Sequence, residues 1–476
     1  MKAFIMAADA LTPEYIFKHK ELFPNICAMI ERGASGTMAG YVQKGYGGSY
    51  TSEQNWPSIY TGLPPAEHKI DRVKVNGIII SPEMCRFNGL KPFWEVFNDS
   101  GMTVGLWAAD SCDNPVEIYG YAVSSKYTPI QTPSENRESP RNIQVCKKDL
   151  DILDCLCGSP PPRLYPKTLK QQGFSFEQLK EQPGLVSQIA NECCFREVLD
   201  NFKNELEFWF CSMVKAQREH PVDVMYLFTP STDIIPHFTM YCDDNPIIIG
   251  AYQMLDRYIG EFIREFSPEV TIVMSDHGQQ NFKELVKCSN PEIQREAFAA
   301  RDQVVWLDNG YIAFEALNGG LLFTAHSLNG VFIACGEGIK NTHISGMRIL
   351  DIYPTLLELF GIKVPAGRSG FIADIFDKPL INKGNLPECN IPCLSIALLQ
   401  THEMSIMDIV LNELYYEKRF AEITVVGEIK YEEIFRNNPR VSDFLPIEKF
   451  NASNYDEVYC GFFNRASNKM SHIKVT

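Results

Sequence analysis

No run of about 18 apolar residues occurs in this 476-residue chain, so the sequence offers no candidate for a membrane-spanning helix. The opening stretch MKAFIMAADALTPEY has an apolar run only from Ala3 to Ala8 before Asp9, short of the core of a secretory signal. Basic residues are outnumbered, 44 Lys and Arg against 59 Asp and Glu, for a net charge of −15. That balance argues against a broad basic face for nucleic acid. It leaves room for a small anionic substrate, because bound metal ions can be the largest local charges in a site. Regular cysteine spacing is missing too. The 15 cysteines are odd in number, and Cys155-x-Cys157, Cys193-Cys194 and Cys389-x-x-x-Cys393 lack the paired spacing of a zinc ribbon. Scattered free thiols without a signal lead us to expect a reducing, cytoplasmic location. Internal repeats and low-complexity tracts are lacking as well.

What is present is an ordinary globular composition, 45% hydrophobic and 22% charged. Short apolar runs at Lys2–Ala7, Thr103–Trp107, Asp223–Phe228, Val270–Met274 and Val331–Ala334 read as interior strands of a mostly parallel sheet. Between them lie amphipathic stretches. Ile249–Phe266 repeats apolar residues at helix spacing, and Ile349–Phe360 is a second predicted helix, stopped by Gly361. This alternation predicts a three-layer α/β/α sandwich around a mostly parallel sheet. Two stretches break it. Residues 128–166, rich in Pro, Ser and charge, and residues 279–322 are expected to be cap-like insertions in a core spanning 1–380. Residues 381–476 are expected to form a small appended α+β module.

The core strands end on polar residues. Asp9 follows the first, Asp233 and His237 follow the third, Asp276 and His277 follow the fourth, and His326 precedes the last. Asp and Gly are each common turn residues, and a single His is more often a packed core residue than a ligand. Three Asp and three His from four places, all at strand ends that converge on one edge of such a sheet, make coincidence a poor account. The residue types suit two divalent ions, zinc by preference, with manganese or magnesium as alternatives. A nucleophile is available in YTSEQNWPSIYTG, where Thr51 and Ser52 precede a short predicted helix with Pro57 in its first turn. A capping role for either hydroxyl is the plainer alternative. Tyr46, Tyr50 and Trp56 flank this stretch and could stack on a base or simply pack.

In this order the motifs resemble the alkaline phosphatase superfamily, and within it the type I phosphodiesterase/nucleotide pyrophosphatase branch. The resemblance covers roughly residues 1–370. Counting back from Thr61-Gly62 makes Ser52 the nucleophile, with Thr51 as alternate, and Asn55 the ligand of a phosphate oxygen. It implies one metal held by Asp233, His237 and His326, and another held by Asp9, Asp276, His277 and the Ser52 oxygen. Three positions depart from the family pattern: Ala10 stands for the usual Gly, Gln54 for a Pro, and Arg368-Ser369-Gly370 for an Asp-Gly. The sulfatase branch is disfavoured, since SEQN lacks its core motif. The implied activity is hydrolysis of a phosphodiester or pyrophosphate bond in a small phosphate ester or nucleotide, through a covalent serine intermediate. Asn55, rather than an arginine, leaves room for a second ester group. Alternatives with the same site are a phosphomonoesterase, a phosphonate hydrolase or a phosphoryl-transfer enzyme. An inactive binding module is the alternative from another class. The oligomeric state is left open.

Overall fold

The computed structural model describes residues 1–40, 52–70, 73–75, 78–80, 90–109, 118–139 except 128–137, 141–146, 152–164, 167–191, 193–239, 244–282, 292, 304–307, 312–315, 321–382, 394–400, 411, 414, 421–436, 440–464 and 469–474. Among these residues nine strands form the central sheet. In chain order they are β1 Ala3–Ala8, β2 Ala34–Ala39, β3 Val104–Trp107, β4 Gly120–Tyr127, β5 Arg141–Cys146, β6 Val224–Thr229, β7 Val270–Met274, β8 Asn329–Gly336 and β9 Thr342–Arg348. Across the sheet the order is β9-β2-β8-β7-β1-β6-β3-β4-β5. All neighbours pair in parallel except where β8 meets β7 and β2 and where β5 meets β4, so only β8 and β5 run against the rest.

Side-chain alternation along β1 builds both layers of core. Phe4, Met6 and Ala8 belong to one buried cluster, while Ala3, Ile5 and Ala7 belong to the other. The first cluster is closed by α1 Pro24–Arg32, α2 Cys193–Glu219 and α3 Pro246–Phe266. The second is closed by α4 Ser52–Thr61, α5 Phe93–Asp99 and α6 Ile352–Leu359. Helix α3 begins three residues earlier than its apolar period suggests. Asn245 caps it by accepting from the Ile247 N–H at 2.9 Å, and Pro246 suits its first position. The segment Ile349–Phe360 divides into a 3-10 turn, Ile349–Asp351, and then α6.

Parts of both stretches expected to be insertions are described. From 128–166, Arg141–Cys146 is the edge strand of the central sheet, and Ile152 and Cys155 are fully buried in the core. A polar, proline-rich composition hid a strand that, among the described residues, pairs on one side alone, and an edge position tolerates such residues. From 279–322, Val304–Trp306, Ile312–Glu315 and Leu321–Leu322 form a separate three-stranded antiparallel sheet. Much of the remainder of that stretch lies outside the described residues.

The C-terminal segment has its own five-stranded sheet, in which four strands pair in parallel and the last runs antiparallel. Its Ile396, Leu398, Ile423 and Val425 share a buried cluster with Ala39, Phe282 and Leu328 of the preceding chain. Leu328 lies two residues from His326, so this cluster lies beside one candidate ligand.

Below α4, His68 fixes the chain that follows the helix. It is fully buried, its Nδ1 accepts from the Ile70 N–H at 3.0 Å, and its Nε2 lies 3.0 Å from Ser58 Oγ. Ser58 Oγ donates to the Gln54 carbonyl at 2.9 Å, so the Nε2–H donates to Ser58. Burial depresses the imidazole to about 4, against a backbone bond to Gln54 that raises it. The unfolded chain therefore takes up a proton near pH 6.5 that the folded chain refuses until about pH 4. Stability from this group is complete above the higher value and is lost as pH falls toward the lower, by about 3 kcal/mol in all. Thermal unfolding followed from pH 7 down to 4 is expected to show a shallower decline in His68→Gln than in the wild type. Parallel curves would contradict this.

Candidate metal centre

The candidate residues are brought together at one edge of the sheet by strand ends. Asp9 follows β1 and its N–H bonds the Thr229 carbonyl at 2.9 Å, at the end of the neighbouring β6. Its own carbonyl accepts from Thr232 Oγ1 at 2.5 Å. Asp233 and His237 lie one turn apart on α7 Ser231–Thr239, which starts directly after β6. Asp276 and His277 follow β7 in the turn whose backbone Ser275 fastens. Ser275 Oγ lies 3.0 Å from both the Leu11 and His277 carbonyls and accepts from the Val331 N–H at 2.8 Å. His326 sits on the short strand β10 Thr324–Ser327, paired antiparallel with β11 Gly278–Asn281. Gly278 opens that ribbon because a Cβ there would meet the Asn329 carbonyl at 2.4 Å and Ser327 Oγ at 2.6 Å.

Asp233 Oδ1, His237 Nε2 and His326 Nε2 form a triangle with sides of 3.3, 3.1 and 2.8 Å. Ligands bonded tetrahedrally to zinc at about 2.0–2.1 Å stand roughly 3.3 Å apart, so one ion fits these atoms with small adjustment. His277 Nε2 lies 3.7 Å from Asp9 Oδ1 and 3.4 Å from Asp276 Oδ2, which outlines a second position. Asp276 Oδ2 is buried and has no hydrogen-bond partner among the described residues, an unmet charge that a cation would satisfy. His277 also comes within ligand reach of Asp233 and His326, and its ring stacks on that of His326 at 4.0 Å, so the two positions adjoin. The site therefore fits a pair of divalent ions. Elsewhere, Cys155, Glu219 and His220 form a third group of possible ligands, apart from this centre.

Tautomers agree with that arrangement. His277 Nδ1 lies 3.1 Å from the Gly278 carbonyl, and His237 Nδ1 lies 3.2 Å from the Thr324 carbonyl. The Nδ1–H of His277 donates there, and that of His237 is shared between the Thr324 carbonyl and the Thr324 hydroxyl at 3.0 Å, leaving each Nε2 lone pair facing inward. Burial, aided by the charge of His326, holds His277 well below the usual histidine range, so it is neutral. Burial pushes Asp276 up to about 7. Burial also acts to raise Asp233, but His237 and His326 overcome it and hold that carboxyl well below the usual range.

Ser52 is the first residue of α4, where the sequence placed the helix start near Trp56 instead. Pro57 thus lies inside the helix, not in its first turn. Ser52 Oγ donates to Asp9 Oδ1 at 2.9 Å and lies 3.1 Å from His277 Nε2. Asn55, expected to face a phosphate, is fully buried and donates from Nδ2 to the Asp276 carbonyl at 3.3 Å. Trp56 packs in the second buried cluster, where it is fully buried and meets Phe228 edge-on at 5.2 Å. Tyr46, Tyr50 and Thr51 lie outside the described residues.

Two features escaped the sequence reading. Gln279, 2% exposed, donates from Nε2 to Asp233 Oδ1 at 2.5 Å. No ligand motif contains an amide at that place, so nothing marked it. The other is backbone strain at Ala10, whose φ of 53° lies in the left-handed region that favours glycine. The departure from the family's usual Gly was legible, and its cost was not. Ala10→Gly is expected to raise stability by about 0.5–1 kcal/mol, the relief of strain being offset in part by glycine's larger unfolded entropy. Urea unfolding measures it, and a fall in stability would show that the Ala10 methyl contributes more packing than strain.

A family model described as Type I phosphodiesterase / nucleotide pyrophosphatase matches residues 3–320. Among solved structures, human ectonucleotide pyrophosphatase/phosphodiesterase 5 is 14% identical with a TM-score of 0.42, over 78% of this chain and 97% of that one. The inactive murine ectonucleotide pyrophosphatase/phosphodiesterase 5 in complex with AMP gives the same four values. A mutant of alkaline phosphatase PafA gives 13% and 0.43, over 78% of this chain and 97% of that one. No curated protein matches the chain.

Proposed function

This chain belongs to the type I phosphodiesterase / nucleotide pyrophosphatase family, and from that premise we propose that it is a two-metal phosphodiesterase or nucleotide pyrophosphatase with Ser52 as its nucleophile. The observation that carries the reading is the convergence of Asp9, Asp233, His237, Asp276, His277 and His326 around one edge of the sheet, with Ser52 Oγ 2.9 Å from the first of them. Asp233, His237 and His326 would hold one ion; Asp9, Asp276 and His277, with the Ser52 oxygen, would hold the other. Divalent ions there, zinc by ligand chemistry, would supply Lewis-acid charge for the phosphoryl oxygens.

The remaining work falls to the chain. Ser52 Oγ attacks phosphorus in line, a P–O ester or anhydride bond breaks, and the leaving group departs with its electron pair. The hydroxyl loses its proton to water, because Asp9 Oδ1 and His277 Nε2, the two acceptors in reach, would be taken up by the ion. Water then attacks the phosphorus of the seryl ester, the P–Oγ bond breaks, and Oγ takes up a proton, which regenerates the serine. The start of α4 adds positive dipole at the attacking oxygen and at the phosphate. Asn55, three residues on, supplies an amide whose second N–H would meet a phosphate oxygen as charge builds.

Hydrolysis of a chromogenic nucleotide phosphodiester beside the matching monoester tests this reading. The protein would be assayed as purified, after chelation, and after adding back Zn²⁺, Mn²⁺ or Mg²⁺. Metal-dependent cleavage with preference for the diester supports it. Preference for the monoester would replace it with a phosphomonoesterase, and absence of both turnover and bound metal would leave a binding module.

A further inference from the structure

Gln279 faces the site from the strand that also follows His277, and in the β11–β10 ribbon it stands directly across from His326. A buried glutamine must find partners for a carbonyl and two N–H groups. Here the partners are metal-site residues. Nε2 donates to Asp233 Oδ1 at 2.5 Å, reaches the Asp233 carbonyl at 3.2 Å, and lies 3.2 Å from His237 Nε2. Oε1 accepts from Thr324 Oγ1 at 2.7 Å. The same Thr324 Oγ1 lies 3.0 Å from His237 Nδ1. With its proton committed to Gln279, the Thr324 hydroxyl can only accept from His237, which places a proton on Nδ1 and leaves Nε2 as a lone pair.

We propose that Gln279 is a positioning residue for the Asp233–His237–His326 metal, orienting the Asp233 carboxylate directly and fixing the His237 tautomer through Thr324. A space-filling glutamine would have satisfied its amide on neighbouring backbone. This one directs its NH2 end at the Asp233 carboxylate and its carbonyl end at the hydroxyl that meets His237 Nδ1, the arrangement by which outer partners set ligand orientation and basicity. The inference rests on the two-metal reading and adds to it a residue outside the ligand set.

The test is metal affinity, read by competition with a chromogenic chelator on the full chain, with Zn²⁺ as the probe. Gln279→Met keeps the length of the side chain and removes both polar ends. One of the two ions is expected to bind 10–100-fold more weakly, and the other unchanged. Thr324→Val, which keeps volume and removes the hydroxyl, is expected to weaken the same ion, while Thr324→Ser retains wild-type affinity. In the double variant Gln279→Met with Thr324→Val the losses should fall short of additive, because both act through one network. If Gln279→Met fails to fold, the two Thr324 variants still decide the question. Two ions bound by the wild type, with unchanged affinity in Gln279→Met or in Thr324→Val, would overturn the inference and leave the metal reading standing. A wild type that binds no Zn²⁺ would remove the metal reading itself.

Discussion

Ser52→Ala is expected to lower diester turnover by roughly 10³–10⁶-fold while leaving both ions bound and the fold intact. The size follows from what is removed. Losing a covalent nucleophile leaves only the binding and electrostatic parts of the site, which in other hydrolases retain a residual acceleration of about 10³–10⁴ over water. Retention of the fold follows from where Ser52 sits. Its side chain is partly exposed, at the first residue of α4, and its hydroxyl contacts are Asp9 and His277, both of which keep other partners in the site. The helix itself is held from within by Ser58, His68 and the burial of Trp56, Ile59 and Tyr60. The measurements are steady-state turnover, metal content and thermal unfolding on the same preparation. Turnover within tenfold of wild type would exclude Ser52 and turn attention to Thr51, the neighbouring hydroxyl.

The parts of the fold and site that were legible in the sequence share a physical cause. A strand buried on both faces must be apolar along its length, so β1, β3, β6, β7 and β8 announced themselves, and their polar terminators marked the rim. A helix packed on a sheet shows its period, as α3 does. Strand direction carries no such signature. β8 reads as another parallel strand and is antiparallel, and the mostly parallel order of the C-terminal sheet follows from its crossovers, not from the composition of its strands. The start of α4 was misplaced because Pro57 suits a first turn, yet the helix accommodates it internally with Ser52 at its head. Counting from Thr61-Gly62 still reached Ser52, because spacing within one helix survives an error in its boundary. Gln279 was invisible for the opposite reason: its part depends on the β11–β10 register and on Thr324, 45 residues away, and no local pattern encodes either.

Asp276→Asn is expected to have two effects of opposite sign, and together they separate a metal ligand from a structural carboxylate. With metal present, the variant should lose one ion and at least about 10³-fold in turnover, since a neutral amide is a poor substitute for an anionic oxygen on a divalent cation. With metal removed by chelation, the variant should be the more stable protein, by about 1–3 kcal/mol. Desolvation sets the sign. Without a cation Asp276 is fully buried beside Asp9, accepts a long bond of 3.4 Å from the Ala10 N–H at Oδ1, and leaves Oδ2 with no hydrogen-bond partner among the described residues. A carboxylate so placed costs folding free energy, which an ion would more than repay: a site filled at about 100 times its dissociation constant stabilises by roughly 2.7 kcal/mol. An asparagine carries no charge to desolvate, and its amide N–H can donate to the neighbouring Asp9 carboxylate. Chelation should therefore lower the melting temperature of the wild type by several degrees and that of Asp276→Asn by less, with the two curves crossing as metal is withdrawn. If the chelated variant melts below the chelated wild type, Asp276 supports the fold through its own contacts, and the second metal position outlined by Asp9, Asp276 and His277 loses its main physical support.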